Sequence, residues 1–245
     1  MSVTITANEK LGDIVVKFPQ ASEIFKRYGI DFCCGGDQIL ADALEEHSVD
    51  GTLLINVLNQ TYDEAVKQGI EIVDWSAVSL SQLIHHIVNT HHAYLQQVFP
   101  SLTELTAKIL RVHGKHHGEV LAQVHRLFNR LRMDMEEHMI KEEEAVFPQV
   151  VNYEIEPSYE KLEVLIRDIQ ELDREHDETG DIVKELRRVT DNYALPEDAC
   201  KTYTSVFEKL QELESNLFQH IHLENNVLFV HLLNDRKKFE GSQLI

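Results

Sequence analysis

Two short phrases place a histidine and a glutamate one helical turn apart: His138-Met-Ile-Lys-Glu142 and His220-Ile-His-Leu-Glu224. Each lies on an apolar stripe. Val206, Leu210, Leu213, Leu217, His220, Glu224, Val227 and His231 step by fours and threes along one helix face. Val124, Leu127, Leu131, Met135, His138, Glu142 and Val146 keep the same rhythm, and Leu162, Leu165, Ile169, Leu172, His176 and Val183 place a further histidine inward. His222, Glu143 and Glu144 fall off these stripes and read as solvated. Near residue 90 the pattern runs either through Leu80, Ile84, Ile87 and His91 or through Ile84, Val88, His92, Leu95 and Phe99. Periodicity leaves both open.

A single histidine on an apolar face is more often a hydrogen-bonded core residue than a ligand. Two glutamates and at least three histidines turned into one interior are another matter, because the same stripes carry no Lys or Arg. Burying an unpaired carboxylate costs several kcal/mol, against a total stability of about 5–15 kcal/mol for a domain. A metal cation is the simplest counter-charge. Imidazoles and carboxylates without thiolates fit iron, manganese or zinc, and two carboxylates each a turn from a histidine suit a pair of metals inside a bundle. A histidine-rich two-metal site favours iron.

The elements that must position these groups are helical. Pro100, Pro148, Pro157 and Pro196 punctuate long amphipathic patterns. The spacing predicts helices near 80–99, 117–147, 158–190 and 198–234, with a shorter one near 101–113. The fold class is therefore all-α, with a four-helix bundle as its main part. Six of the ten glycines fall in the first 69 residues, where short apolar bursts between turn signals predict a small helical domain over 1–70. Residues 71–79 read as a linker, with Ser79 as the N-cap of a bundle over 80–240.

The 245 residues carry 23 Lys and Arg against 42 Asp and Glu, a net charge of −19. That balance excludes a nucleic-acid partner, which needs clustered cations. No apolar run reaches the ~20 residues of a membrane span. The opening MSVTITANEK has no basic stretch before an apolar one, so no secretory leader is expected. Three cysteines, two of them adjacent, make no disulfide framework. A cytoplasmic setting is expected.

Those adjacent cysteines, Cys33 and Cys34, stand in Asp31-Phe-Cys-Cys-Gly-Gly36 between one predicted helix and another expected to begin near Asp37. Neighbouring Cα atoms are ~3.8 Å apart, so a disulfide between them would be strained and easily reduced. A position before a helix N-terminus lowers a thiol pKa. A thiolate pair that meets iron, a client cluster or an electron donor is the functional expectation. Cys200, in "PEDAC", reads as packing.

With "DFCCGG", "RVHG", "HMIKEE", "EHDETG", "PEDAC" and "HIHLENNVLF" in that order, the chain resembles the repair-of-iron-centres proteins, di-iron proteins of iron–sulfur cluster repair. In these a small domain precedes a hemerythrin-like bundle. Val230 and "CKTY" depart from the family pattern without touching an implied ligand. The resemblance implies His92, His113, His138, Glu142, His176, His220 and Glu224 as metal ligands, with His92 chosen over His91. His113 would lie roughly 30 Å from His92 on one straight helix at ~1.5 Å per residue, so a bend back near Pro100 is expected. The implied cofactor is two iron ions bridged by Glu142 and Glu224 and an oxo or hydroxo group. The implied function is restoring clusters damaged by nitric oxide or oxidants, through iron supply or nitric oxide chemistry. Damaged iron–sulfur proteins, a reductant and a second copy of the chain are the expected partners. The residues themselves show no catalytic base or nucleophile outside the metal shell. An oxygen-binding or oxygen-sensing hemerythrin is the alternative.

Overall fold

A computed structural model describes residues 4–70 and 73–242. Among the described residues the ordered elements are helices, with one isolated bridge between Lys10 and Ile39. By its contacts the chain divides into one unit within Met1–Leu83 and Phe218–Ile245, and another, Ile84–Leu217.

The first unit begins with α1 (Leu11–Lys17), α2 (Ala21–Arg27), α3 (Leu40–Glu46) and α4 (Gly51–Lys67). The first three, of seven residues each, are too short to be stable alone, and burial holds the four together. Leu11, Ile14, Phe18, Phe25, Leu40, Leu54 and Leu58 are buried in one cluster, where the Phe18 and Tyr62 rings meet edge-on at 5.4 Å. Asp50 caps α4 by accepting from Leu53 N at 3.1 Å. The Asn59 side chain accepts from Ile5 N at 2.8 Å and donates to Ile5 O at 3.0 Å, which fastens the N-terminal segment to α4.

The same core takes in Phe218 and Ile221, from the last long helix, α9 (Lys201–Leu223, labelled in chain order). Residues 71 and 72 of the expected linker over 71–79 lie outside the described residues, and by contacts the chain from Phe218 onward groups with the N-terminal helices. Ser79 does cap the following helix, α5 (Leu80–His86). Its Oγ accepts from Gln82 N and its own N–H donates to Gln82 Oε1, both at 3.2 Å, which is a capping box.

The second unit is a four-helix bundle. Its first rod continues from α5 through a π turn, Ile87–His92, into α6 (Ala93–Lys141). That helix does not break at Pro100, contrary to the sequence expectation. A mid-helix proline costs ~3 kcal/mol, but Leu95, Val98, Phe99 and Leu102 around it are buried, and their burial outweighs that cost. The chain reverses instead at His117, whose φ of −124° and ψ of 18° are not helical. The Phe99 and Phe128 rings, 6.2 Å apart, and Thr106 Oγ1 to His125 Nδ1 at 3.0 Å join the two limbs of α6.

Beyond the second limb, a π turn at Glu142–Val146 leads into α7 (Phe147–Ile155), and α8 (Tyr159–Val189) runs back. Ser158 caps α8 through Lys161 N. Asp191, Asn192 and Tyr193 follow with φ of 50°, 55° and 61°, a left-handed run that non-glycine residues adopt only when held. Thr190 Oγ1 accepts from Tyr193 N at 3.0 Å, and the Tyr193 hydroxyl donates to buried Glu214 at 2.8 Å. Arg187 completes the lock with a two-pronged grip on Glu214. After Leu223 a third π turn, Glu224–Leu228, leads into α10 (Phe229–Ser242). No helix of the described residues is long and apolar enough to cross a membrane.

Candidate metal centre

In the bundle unit, Glu142 is fully buried and its two carboxylate oxygens face different imidazoles. Oε2 lies 3.3 Å from His92 Nε2, and Oε1 lies 3.2 Å from His138 Nε2. His176 Nε2 is 3.1 Å from His138 Nε2, with the rings 4.8 Å apart. Two ligands on one ion, each ~2.0–2.2 Å from it, sit roughly 3–3.5 Å from one another. The spacings here match that edge length, and His138, Glu142 and His176 offer ligand atoms within 4.8 Å of one another that could hold a metal ion.

The first unit repeats the pair. His220 Nε2 lies 3.0 Å from Glu224 Oε1, and both residues are fully buried. Three of these residues stand at irregularities of the helix. His92 closes the π turn Ile87–His92, Glu142 opens Glu142–Val146, and Glu224 opens Glu224–Leu228. A π turn fits one extra residue into the helix and is frequent at functional sites.

Carboxylates on the outer side orient two of the rings. Glu143 Oε1 accepts from His92 Nδ1 at 2.8 Å, and Glu175 Oε2 accepts from His138 Nδ1 at 2.8 Å. Each contact puts the ring proton on Nδ1 and turns Nε2 inward as a donor atom. The His138 hydrogen bond, with help from Lys141, holds the Glu175 carboxyl down at about 2 although burial opposes it. Lys141 is spent outside the site, on Glu175 and on Glu171 at 2.7 Å. The donor set of imidazoles and a carboxylate around buried charge therefore fits a metal cation.

Comparison with known proteins gives the same picture. The ScdA_N family model, described as a domain of unknown function (DUF542), matches residues 7–62, and the hemerythrin HHE cation-binding domain matches residues 83–232. The iron–sulfur cluster repair protein ScdA of Staphylococcus epidermidis is 32% identical over 226 residues, covering 92% of this chain and 98% of that protein. ScdA of Staphylococcus haemolyticus is 33% identical over 225 residues, with 92% and 98% covered. The iron–sulfur cluster repair protein YtfE of Salmonella paratyphi B is 33% identical over 222 residues, with 91% and 95% covered. The chain belongs to the ScdA/YtfE family.

Not every residue expected from the sequence of this ScdA/YtfE-family chain goes where it was expected. The structure does not bring His113 to His92. With no bend at Pro100, the two histidines stand at opposite ends of one rod, ~30 Å apart at ~1.5 Å per residue. His113 Nε2 instead lies 3.2 Å from Cys200 Sγ, and its ring meets Tyr203 edge-on at 5.3 Å. The backbone N–H of Tyr203, then the His113 ring and the backbone N–H of Thr202, lower the pKa of the exposed Cys200 thiol to about 7. Cys200 is therefore not a packing residue.

His222, expected in solvent, is buried beside the Phe32 ring at 5.8 Å, and burial pushes its pKa down to about 4. His231 is exposed instead. Glu143 is only partly solvated and supports His92, a role its neighbour Glu142 signals in the sequence. Nothing in the sequence singles out Glu175. His91 is buried too, but its ring meets His86 at 5.7 Å.

Cys33 and Cys34 are not joined by a disulfide, and their Sγ atoms lie 3.9 Å apart. They do not precede a helix directly, because α3 begins only at Leu40. Asp31 Oδ1 accepts from Cys33 N at 3.2 Å, Cys34 N at 3.1 Å and Cys33 Sγ at 3.2 Å. The Cys34 neighbour, burial and the Asp31 charge raise the Cys33 thiol pKa, the reverse of the sequence expectation. Asp31, Cys33 and Cys34 could also hold a metal ion, since each offers an atom within 4.8 Å of the others.

Proposed function

We propose that this chain is a di-iron protein that restores iron–sulfur clusters damaged by nitrosative or oxidative stress, chiefly by supplying iron. Relatives of near-equal length named for iron–sulfur cluster repair support the repair role. One observation supports a pair of metals: the two oxygens of Glu142 each face a separate imidazole, as a carboxylate does when it bridges two ions. The proposed ligands are His92, His138, Glu142, His176, His220 and Glu224, with Glu142 and Glu224 as bridges.

Bound iron would supply a redox-active, Lewis-acidic centre, with nitric oxide chemistry as a second use. The protein's own residues do the rest. Glu143 and Glu175 keep the rings of His92 and His138 turned inward. Because imidazoles must be neutral to bind, metal affinity falls with acidity. The Cys33–Cys34 pair is the proposed contact for iron, a client cluster or a donor. Damaged iron–sulfur proteins and a cytoplasmic reductant are the proposed partners, and self-association of the chain is part of the same reading.

Iron analysis with Mössbauer spectroscopy tests the centre. The wild type should carry an exchange-coupled iron pair that loses its coupling in Glu142→Ala. Near-zero iron after both aerobic and anaerobic preparation would overturn the metal reading. Repair is tested by adding the loaded protein to a nitric-oxide-treated iron–sulfur enzyme. Loaded protein that restores no more activity than free iron would sink that part alone.

A further inference from the structure

Asn226 is two residues beyond Glu224, in the same π turn. Its side-chain amide donates to Cys33 O at 3.0 Å and to Phe32 O at 3.3 Å, and lies 3.2 Å from His222 Nδ1. It is enclosed by glycine: a Cβ at Gly12 or at Gly36 would overlap the Asn226 amide. Gly36 ends the DFCCGG phrase, and Gly12 N donates to Gly36 O at 2.9 Å. The Phe32 ring of the same phrase packs edge-on against Phe218 at 6.1 Å and His222 at 5.8 Å. The cysteine loop is therefore held, by its main chain, to the turn that Glu224 opens. The Asn226 amide and the His222 ring, which also hydrogen-bonds the Phe32 backbone, make polar parts of that connection, and two glycines give the amide room.

We propose that Asn226 is a positioning residue that ties the Cys33–Cys34 loop to the Glu224 turn, so that metal at Glu224 and the reactivity of the thiol pair depend on each other. The linkage rests on the metal reading given above. A π turn has a spare residue and so a choice of hydrogen-bond register. A change of register at Glu224 moves Asn226, and with it the carbonyl groups of Phe32 and Cys33. Thermodynamic linkage makes the effect reciprocal: a thiol state that alters iron affinity is itself altered by iron to the same degree. The arrangement would let the state of the thiols govern when iron is held and when it is given up.

The test compares alkylation of Cys33 and Cys34 by iodoacetamide in iron-loaded and iron-free full-length protein. Peptide mapping separates these thiols from Cys200. In the wild type, iron should change the rate for the pair by at least ~5-fold, the lower end of ordinary coupling. Asn226→Asp keeps the shape of the side chain but cannot donate to the two carbonyls. It should load iron like the wild type and show equal rates in both states.

A second measurement needs no variant. Wild type alkylated at the pair should yield iron to a chelator with an affinity changed to a similar degree. Wild type that takes up no iron fails the metal reading and this linkage with it. Normal iron uptake with equal alkylation rates and unchanged chelator affinity sinks the linkage alone. So does coupling that persists in Asn226→Asp.

Discussion

Glu175 Oε2 accepts from His138 Nδ1 at 2.8 Å, and this contact decides which nitrogen of His138 faces Glu142. Glu143 does the same for His92. Removing such an outer carboxylate frees the ring to rotate and makes it a weaker base, which typically costs 10–100-fold in metal affinity. Glu175→Ala and Glu143→Ala should each weaken iron binding by about that factor in a chelator competition, with helix content unchanged by circular dichroism. Affinity equal to the wild type would show that the rings are held by packing instead.

The grip of Arg187 on Glu214 concerns stability alone. Glu214 is 1% exposed and also receives the Tyr193 hydroxyl. Arg187→Ala would take a cation away from that buried carboxylate, at a cost of about 3 kcal/mol. Urea denaturation should show the loss as a lower midpoint with an unchanged slope.

Gly36 is constrained by the Asn226 amide rather than by its own backbone. Gly36→Ala drives its methyl group into that amide, which must then leave the carbonyls of Phe32 and Cys33. The expected loss is about 1–3 kcal/mol, in the range of overpacked sites. Gly29→Ala differs in cause, since Gly29 has a φ of 70° and open space around it, so only backbone strain of ~1 kcal/mol opposes the substitution. Thermal melts of the two variants should rank in that order.

Cys200 should behave as a thiolate near neutrality. Its pKa is lowered to about 7, so the reactive form grows as pH rises through 7 and its alkylation rate should level off above 8. Removing His113 takes away one of the groups that favour the thiolate. In His113→Ala the midpoint of the rate profile should move up toward the ordinary thiol range of ~8.5. An unmoved midpoint would assign the whole effect to the backbone N–H groups of Thr202 and Tyr203.

The helical stripes were legible in the sequence because burial repeats with the helix period. Leu210, Leu213, Leu217, His220 and Glu224 all point inward as read. The same reading fails at His231, and the reason is local. The turn Glu224–Leu228 holds one residue more than an α-helical turn, so the stripe continues through Leu228 and Leu232, both 0% exposed, one position later than a regular count gives. Pro100 misled in the opposite direction, since an exposed proline whose neighbours on both sides are buried is tolerated. Gly114 and Gly118 flank the true reversal at His117 and were the better signal. His222 could not have been placed from its own helix, because the Phe32 ring that covers it comes from a distant stretch of chain.

Length, more than residue identity, is the fragile property of the π turns that His92 closes and that Glu142 and Glu224 open. Each amounts to a single surplus codon within a helix-coding stretch. Deleting that codon would leave a regular helix whose later side chains, Leu228 and Leu232 among them, still meet the inward stripe, so the chain could still fold while the backbone that aims the donor atoms at the turn was lost. In-frame losses of three nucleotides near Glu142 or Glu224 are therefore expected to be absent among functional alleles, even where conservative replacements around them are common.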